Sequence, residues 1–434
     1  MKSVLHVSLA TVFGLCVLAI TVSGQLLPEN PISKSTEILS DILLKATTED
    51  QSNYVVSPFA SSVILALAAE GADTETKSQL VATIGGELPD KSSYKEVLTT
   101  IKGYSLDGFA QNKVVLKNFL YVYKNYSVHE SFAQLARDYY LTDVRSVERP
   151  DLATKQDATN NISLDDDNTS DFKEHALLIF NGLSLEMNWP TSTWHKTSLS
   201  WNGNVVKAFG AAGNFAIGQI PSLDCTAFKL PYKNTDYALL VLLPKNKDVS
   251  LNEVLKKLNP EHGIEQLTNA MTMKPGFVTM PCFQSSNITH LKTVLQQGTQ
   301  TNTVFTESAD LSKLSSDKLY LDDVVQQAGI RVCVEGSSSY SLTSMSYHDK
   351  NADPNRLHRN DRRRVIVNGL PNVSGSAFTS QRVIKESVVV DRPFAYALYN
   401  VANGIVYAAG KLERPIWEET DDGSDGSDIE TIKI

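Results

Sequence analysis

The side chains of this sequence that could do hydrolytic chemistry are its histidines and serines, which form the active sites of many hydrolases. The chain of 434 residues has eight histidines. It contains no Gly-x-Ser-x-Gly, no His-Glu-x-x-His and no glycine-rich phosphate loop, which are motifs that place such groups for catalysis. His175, just before an apolar run, is better explained as a solvated residue at the entry of a strand. The sequence therefore predicts no enzyme, no metal site and no cofactor.

A second reactive feature is the basic stretch from Arg356 to Arg364, which holds five arginines and one histidine. It could bind a polyanion such as a sulfated glycan, because positive charge steers anionic partners electrostatically. It could equally be a solvated loop tip that is open to processing, and Arg359-Asn-Asp-Arg362 resembles a minimal proprotein-convertase site. The pattern favours the loop tip. The net charge of −9 argues against nucleic acid as a main partner.

Cysteines are the third reactive group. Cys16 lies in an N-terminal apolar stretch, which leaves Cys225, Cys282 and Cys333 in the remainder of the chain. An odd number means that at least one thiol is free or is paired outside the chain. This is not a disulfide scaffold, so a large hydrophobic core must stabilise the fold.

The N-terminus reads as a secretory signal peptide, residues 1–24. Lys2 precedes an apolar run from Val4 to Val22, and small residues follow it up to Gly24. A membrane anchor is the alternative, but polar residues interrupt the run, and no later stretch is long enough to span a bilayer. We therefore expect a soluble protein in the extracellular space. Five glycosylation sequons agree with this route: Asn125, Asn161, Asn168, Asn287 and Asn372.

The rest of the chain predicts one large domain, residues 25–415, because no linker-like composition occurs before residue 340. The acidic, Gly/Ser-rich stretch 416–434 is expected to be a solvated tail. The periodicity predicts a helix from Ile32 to Lys45, beginning near Ser35 to Glu37, and another from Val63 to Glu70 opened by Ser57-Pro58. Apolar runs predict four strands, namely Val114–Tyr123, Ala176–Phe180, Tyr237–Leu243 and Val388–Ala397. The fold class is therefore α+β, with a polar loop at Lys155 to Glu174.

Several motifs in this order resemble the serpin family, and the resemblance covers nearly all of the chain after the signal peptide. The early motifs are Asn53-Tyr-Val-Val-Ser57-Pro58, Gly71-Ala72, Thr74, and Asn181 with Trp189. The later motifs are Leu230-Pro231-Tyr232, Leu239 to Pro244, Pro281-x-Phe283, Val304-Phe305, Ala309 to Ser312, Glu335-Gly336, Asp391-Arg392-Pro393-Phe394 and Gly410. No single motif is decisive, but their order and spacing are specific.

The resemblance implies a serpin fold with a large central sheet, two smaller sheets, about eight to nine helices and an exposed reactive loop within 336–387. Serpins as a family are cut in this loop by a target serine protease. The freed segment then inserts as a strand of the large sheet and carries the acylated protease to the opposite pole. The chain is thus expected to be a monomeric suicide-substrate inhibitor. A non-inhibitory serpin that binds, carries or acts as protease bait is the alternative.

The hinge residues that the resemblance implies are Glu335, Gly336, Ser337, Ser338, Ser339, Ser341 and Thr343. Because strand side chains alternate between two faces, the small residues at 337, 339, 341 and 343 are expected to point inward. The bulky Tyr340 and Leu342 fall on the other face, which we expect to be solvent-facing after insertion. No charge lies at these inward positions, where it would be costly without a partner. A polar serine-rich loop would show the same pattern.

Counting at the family's usual distance from Gly336 places the cut between Lys350 and Asn351. Insertion of about 14 residues at ~3.3 Å each would carry the protease ~46 Å. The connection to Pro393 is longer than the family's by about thirty residues, so a cut at Arg362, Arg363 or Arg364 is also open. That cut would leave a slack tether and suits a bait. Lysine or arginine at the cut favours a trypsin-like protease, whose specificity pocket holds a carboxylate.

Two departures from the family pattern concern opening of the sheet. Ala60 stands where the family has a serine, and Gln326 stands where it has a histidine, although Ser57 and Asn181 of the sheet-opening network are retained. The helix that crosses the large sheet, expected within Val147 to Glu174, looks shortened. By the resemblance, Cys282 and Cys333 lie on neighbouring strands near the loop's entry. Either a disulfide there or two buried thiols fits the sequence, and the thiols are favoured because disulfide geometry is demanding.

Overall fold

The structure is a computed structural model that describes residues 30–49, 51–106, 113–123, 125–148, 176–190, 194–259, 262–349 and 386–417. The predicted signal peptide, the polar stretch 155–174 and the arginine-rich segment lie outside these residues. No helix in the described part of the chain is long and apolar enough to cross a membrane.

Eight α-helices occur within the described residues. They are α1 (Pro31–Lys45), α2 (Pro58–Gly71), α3 (Thr74–Thr83), α4 (Lys91–Leu106), α5 (Glu130–Tyr140), α6 (Leu251–Lys257), α7 (Ile264–Asn269) and α8 (Leu291–Thr299). The first helix begins earlier than its sequence predicts, because the Asn30 side chain caps it by accepting a hydrogen bond from Ile32 N at 2.9 Å. The predicted start of α2 is confirmed, with Ser57 as its N-cap and Pro58 in its first turn.

The large sheet has six strands in the order β10-β11-β12-β4-β2-β3. Their bounds are β2 (Lys113–Tyr123), β3 (Thr142–Val147), β4 (Leu177–Asn188), β10 (Phe283–His290), β11 (Leu319–Cys333) and β12 (Gly336–Asp349). All neighbours pair antiparallel except β2 and β3. The segment that the sequence identifies as the reactive loop is therefore a central strand of this sheet.

The second sheet has nine strands in the order β1-β15-β14-β8-β7-β6-β9-β13, with β5 paired to β6. Their bounds are β1 (Tyr54–Val56), β5 (Trp194–Trp201), β6 (Asn204–Ile220), β7 (Cys225–Pro231), β8 (Tyr237–Pro244), β9 (Thr272–Pro281), β13 (Glu386–Val389), β14 (Phe394–Asn400) and β15 (Val406–Leu412). Two smaller sheets are expected from the family resemblance. They are continuous here, because the 17-residue β6 pairs with β7 near its end and with β5 and β9 over the rest of its length.

Three of the four predicted strands are confirmed as β2, β4 and β8. The predicted strand Val388–Ala397 is wrong as a single element. It is divided into β13, which pairs parallel with β9, and β14, which pairs with β8 and β15. Pro393 lies between them and cannot donate a backbone hydrogen bond to a sheet.

The core lies between the two sheets, and α2 runs through it. Every residue of this helix except Glu70 is buried, because it packs against β4 and β12 on one side and β15 on the other. A helix that is apolar all round is suited to such a position. Its N-terminus at Ser57 lies beneath the six-stranded sheet, where β11 and β12 meet.

Candidate functional site

The candidate site is the strand β12 with the groups that surround it in the six-stranded sheet. It pairs with β11 from Gly336 opposite Cys333 to Asp349 opposite Leu319, and with β4 from Gly336 opposite Asn188 to Tyr347 opposite Leu177. All fourteen residues therefore pair with β11, and the twelve from Gly336 to Tyr347 have an antiparallel partner strand on both sides. Two residues, Val334 and Glu335, form the turn that joins β11 to β12.

The strand begins at a glycine for a steric reason. Gly336 has φ +149°, a conformation that side chains disfavour, and a Cβ at this position would collide with the carbonyl oxygen of Met187. Only glycine allows β12 to lie this close to β4 at the turn. The hinge glycine that the resemblance implies thus has a structural reason in the sheet.

The inward side chains of the upper part of β12 are small and buried. Ser337, Ser339, Ser341 and Thr343 are between 0% and 6% exposed. The Ser337 hydroxyl lies 2.6 Å from that of Tyr232, and the Ser341 and Thr343 hydroxyls lie 3.2 Å apart. Buried hydroxyls need such partners, because an unpaired polar group in the core is destabilising.

Gln326 of β11 connects the strand to α2. Its amide nitrogen donates to the Thr343 hydroxyl at 2.9 Å, to the Ser61 hydroxyl at 3.1 Å and to the Ser57 carbonyl at 3.0 Å. Its side-chain oxygen accepts from Ser57 N at 2.7 Å. The glutamine is fully buried, so it satisfies groups from the helix N-terminus and from β12 together.

Asn181 lies outside this cluster, although the sequence groups it with Ser57 and Gln326. It is opposite Thr343 in register, but its amide nitrogen donates to the Asn118 side-chain oxygen at 2.6 Å, on the other side of β4. No described residue hydrogen-bonds to its own side-chain oxygen. Asn181 therefore ties β4 to β2, while Gln326 holds β12.

A stacked pair of aromatic rings covers the upper end of the strand. The rings of Trp189 and Tyr232 lie 4.3 Å apart and nearly parallel, and the Trp189 indole donates to the Cys333 carbonyl at 2.7 Å. The structure joins Cys333 to Cys282 in a disulfide, so the favoured expectation of two buried thiols is wrong. This bond connects the end of β11 to the single residue between β9 and β10, directly beside the turn into β12. Burial raises the pKa of the remaining thiol, Cys225, to about 12.

The expectation that Leu342 faces solvent is wrong. Its side chain is 3% exposed and packs in a cluster on the outer face of the sheet with Phe119, Tyr121, Leu178 and Phe180. Leu342 is opposite Gly182, which has no side chain to occupy that face of β4. The guanidinium carbon of Arg145 lies 4.4 Å from the centre of the Phe119 ring. The outer face of β12 is therefore a second apolar contact surface.

The lower part of β12 contributes two large side chains that the sequence reading did not single out. Met345 and Tyr347 continue the inward alternation, are both 0% exposed and belong to the main hydrophobic core. The signal was available in the sequence, because extension of the period-two pattern past Thr343 places both residues on the inward face.

Other predicted site residues have different outcomes. Lys350, Asn351, Arg362, Arg363 and Arg364, with the sequons Asn161, Asn168 and Asn372, lie outside the described residues. Asn125 is exposed. Asn287 is half-buried, and its side chain accepts from Val55 N at 2.7 Å and donates to the Thr289 hydroxyl at 2.9 Å. Packing also continues past the predicted domain end at 415, because the Trp417 ring lies against the cations of Lys207 and Arg331.

Groups that could form a catalytic or metal site are few. No cluster of three or more histidine, cysteine or acidic side chains occurs in the described part of the chain. The Ser222 hydroxyl lies 2.9 Å from His262 Nε2, but no described residue hydrogen-bonds to His262 Nδ1. That pair therefore lacks the third group that would orient the imidazole.

Known proteins resemble this chain both in sequence and in structure. The chain matches the model of the family described as Serpin (serine protease inhibitor) over residues 35–169 and 202–415. Antichymotrypsin-2 of Bombyx mori is 24% identical over 311 residues, which cover 68% of this chain and 82% of that protein. Antitrypsin of Bombyx mori is 23% identical over 311 residues, which cover 68% and 78% respectively.

The solved structure of cleaved Serpin 42Da has the same fold. It superposes with a TM-score of 0.70 at 20% identity, over 91% of this chain and 99% of that chain. The family match covers well over half of the sequence, and it includes α2, β11 and β12. On this match, the chain belongs to the serpin family of serine protease inhibitors.

Proposed function

We propose that this chain is a secreted inhibitor of trypsin-like serine proteases, which is cut after Lys350 and traps the enzyme by insertion of β12. The observation that carries the proposal is the fit of β12 between β11 and β4 over the twelve residues from Gly336 to Tyr347. From Ser337 to Tyr347 the inward positions of the strand carry no charge. The strand therefore meets the physical requirement for insertion, since an unpaired buried charge is strongly unfavourable.

The bonds that β12 makes supply the driving force of the trap. Between Ser337 and Tyr347 its backbone has a partner strand on both sides, and its Thr343 and Ser337 hydroxyls meet Gln326 and Tyr232. These contacts exist only when the strand lies in the sheet. Insertion after a cut would thus gain ladder bonds and apolar burial at the same time.

Lys350 is favoured as the cut site because it directly follows the last residue of β12, Asp349. A protease held on Lys350 would be drawn to the end of the strand, ~46 Å from the hinge, without slack. A cut at Arg362 to Arg364 would leave more than ten residues between the strand and the protease. The trypsin-like class rests on the positive charge of Lys350, which suits a specificity pocket that holds a carboxylate. The relatives do not decide the class, because the two are named for different proteases.

Secretion is part of the proposal and rests on residues 1–24 and on the sequons. Among the sequons in described residues, exposed Asn125 is favoured for glycosylation. A glycan on Asn287 would be attached to the half-buried nitrogen that donates to the Thr289 hydroxyl, and it would replace one of the two hydrogens of that nitrogen. The protein is expected to act as a monomer, because β12 and the strands that receive it belong to the same chain.

The test is to mix the secreted protein with trypsin and analyse the products by denaturing gel and mass spectrometry. The proposal predicts a denaturant-stable band at the summed mass of trypsin and the serpin fragment that ends at Lys350, with a fragment that begins at Asn351. In Lys350→Ala the complex should be lost. A variant with alanine in place of Arg362, Arg363 and Arg364 is the matched control and should retain it. Cleavage of the freshly secreted wild-type chain without any complex would overturn the proposal.

A second candidate function is protease bait or binding protein without trapping. The observation that favours it is the distance in sequence between β12 and β13, since 36 residues, 350–385, lie between them. A cut within Arg362 to Arg364 would release a long tether, and acyl-enzyme hydrolysis would then be faster than trapping. In the same experiment this function predicts cleavage in the arginine cluster, no stable complex, and full trypsin activity afterwards.

A further inference from the structure

The strands β12 and β13 are both in place at the same time in one uninterrupted chain. The strand β12 fills the six-stranded sheet, and β13 pairs parallel with β9 from Glu386 opposite Gly276 to Val389 opposite Thr279. These strands are consecutive in sequence. Insertion of the one has therefore not removed the other from its sheet.

The register bounds the distance that the intervening residues must span. From Asp349 to Gly336 the strand is ~46 Å long, and Gly336 is opposite Cys333, which is bonded to Cys282 with the Cα atoms 4.5 Å apart. From Cys282 back to Gly276 is a further ~20 Å along β9. The path from Asp349 to Glu386 is thus below about 80 Å. The 36 intervening residues reach about 120 Å when extended.

The composition of β12 explains why the strand stays in the sheet without a cut. Met345 and Tyr347 are 0% exposed on its inward face, and Leu342 is 3% exposed on its outer face. Expulsion of the strand would expose all three and would leave cavities in the main core and in the outer cluster. A loop that functions only outside the sheet would gain nothing from these side chains.

We propose that the intact chain has a ground state in which β12 is inserted while β13 remains paired with β9, so that insertion requires neither proteolysis nor release of β13. This state is possible because the 36 residues between β12 and β13 are enough to span the distance between the two strands. Spontaneous insertion would withdraw the loop from proteases, so a freshly folded inhibitor would lose activity with time. This inference does not depend on whether the chain traps a protease.

The test uses hydrogen exchange on the purified protein, with its intact mass checked first. We expect slow exchange for the backbone amides of both β12 and β13, comparable to that of β11. Rapid exchange in β12 would overturn the inference. Slow exchange in β12 with rapid exchange in β13 would overturn it as well, because insertion would then require release of β13.

A shortened chain is the matched control. Deletion of residues 353–382 leaves six residues between β12 and β13, which reach about 25 Å and cannot span the ~46 Å length of β12. The strand β13 pairs with β9, and only Cys282 separates β9 from β10. β13 therefore begins beyond the upper end of β12, whereas the connection starts at the lower end of β12, at Asp349. The guanidinium midpoint of the intact full-length chain should shift by less than ~0.3 M when trypsin cuts it. The intact shortened chain should have a lower guanidinium midpoint than the intact full-length chain. Cutting should raise the midpoint of the shortened chain by ~1 M or more. A gain of that size in the full-length chain would contradict the inference.

Discussion

The upper and lower halves of β12 differ in what they place inside the molecule. From Ser337 to Thr343 the inward side chains are small hydroxyls that bond with Tyr232 and with Gln326. From Met345 to Tyr347 they are large apolar groups in the main core. Both halves have the same backbone ladder, so the difference lies in the side chains alone.

The two halves therefore have different roles: the upper half affects how β12 enters the sheet, and the lower half affects how firmly it is held there. A buried hydroxyl with a partner contributes only about 1 kcal/mol net, so the inward side chains of the upper half add little to the cost of leaving the sheet. Each large side chain of the lower half contributes roughly 1.5–3 kcal/mol by burial, which holds the strand once it is fully inserted. The hinge end thus admits the strand, and the far end keeps it in place.

The largest effect is expected from a charge in the upper half. Thr343→Arg would place a cation where the native side chain is 0% exposed and contacts Gln326, at a cost of several kcal/mol. The variant should unfold at a lower guanidinium midpoint than wild type, both intact and cut, and should form no stable complex with trypsin. Ser338→Arg, at a half-buried position on the outer face, is the control and should behave as wild type. Normal trapping by Thr343→Arg would show that the upper half need not enter the sheet.

Truncations in the two halves should have unequal effects on the inserted protein. Tyr347→Ala removes a fully buried ring and should lower the free energy of unfolding by about 3–5 kcal/mol. Ser341→Ala removes one buried hydroxyl and should lower it by about 1 kcal/mol. Denaturant unfolding of the cut proteins measures both. Equal losses would remove the distinction between the halves.

The disulfide beside the hinge should have a smaller effect. Replacement of Cys282 and Cys333 by alanine should lower the free energy of unfolding by roughly 2–4 kcal/mol, because the bond closes a long loop in the unfolded chain. The loss of this bond should destabilise both halves of β12 alike, so it tests the strands around β12 and not the difference between its halves. Alkylation in denaturant without reductant should modify one thiol, Cys225, in the secreted chain. Modification of three thiols would show that the bond is absent.

The burial of Cys225 gives a prediction on pH. Desolvation raises the pKa of this thiol to about 12, so the neutral form dominates at every pH below that value. The folded protein should therefore resist iodoacetamide at pH 8, where an exposed thiol reacts readily. Fast labelling of the native protein at pH 8 would contradict this burial.

The sequence predicted the parts of the fold where local pattern and burial agree. The run Tyr237–Leu243 and the Ser57-Pro58 helix start are examples, because each is decided by its own residues. The split of Val388–Ala397 could not be read from apolar composition, since both pieces are apolar and only their partners differ. The inward hydroxyls followed from period-two alternation.

The outer face of β12 shows what alternation alone cannot decide. Alternation predicts that Leu342 lies on the face opposite Thr343, but it does not predict what that face contacts. The contact comes from Phe119 and Phe180, more than 150 residues earlier in the chain, and their position depends on the pairing of β2 with β4. Partners from distant strands likewise determine that Gln326 bonds with Ser57 and that Asn181 bonds with Asn118.

The most direct test of the account is a distance between the two ends of β12. Glu335→Cys and Asp349→Cys, labelled with a fluorescent donor and acceptor, report on the length of this segment after trypsin has cut the chain. Insertion as a strand predicts ~46 Å between the labelled positions. A free loop of fourteen residues would average about 20 Å with a broad distribution. A single long distance would support β12 as the strand that fills the sheet, and a short, broad one would contradict it.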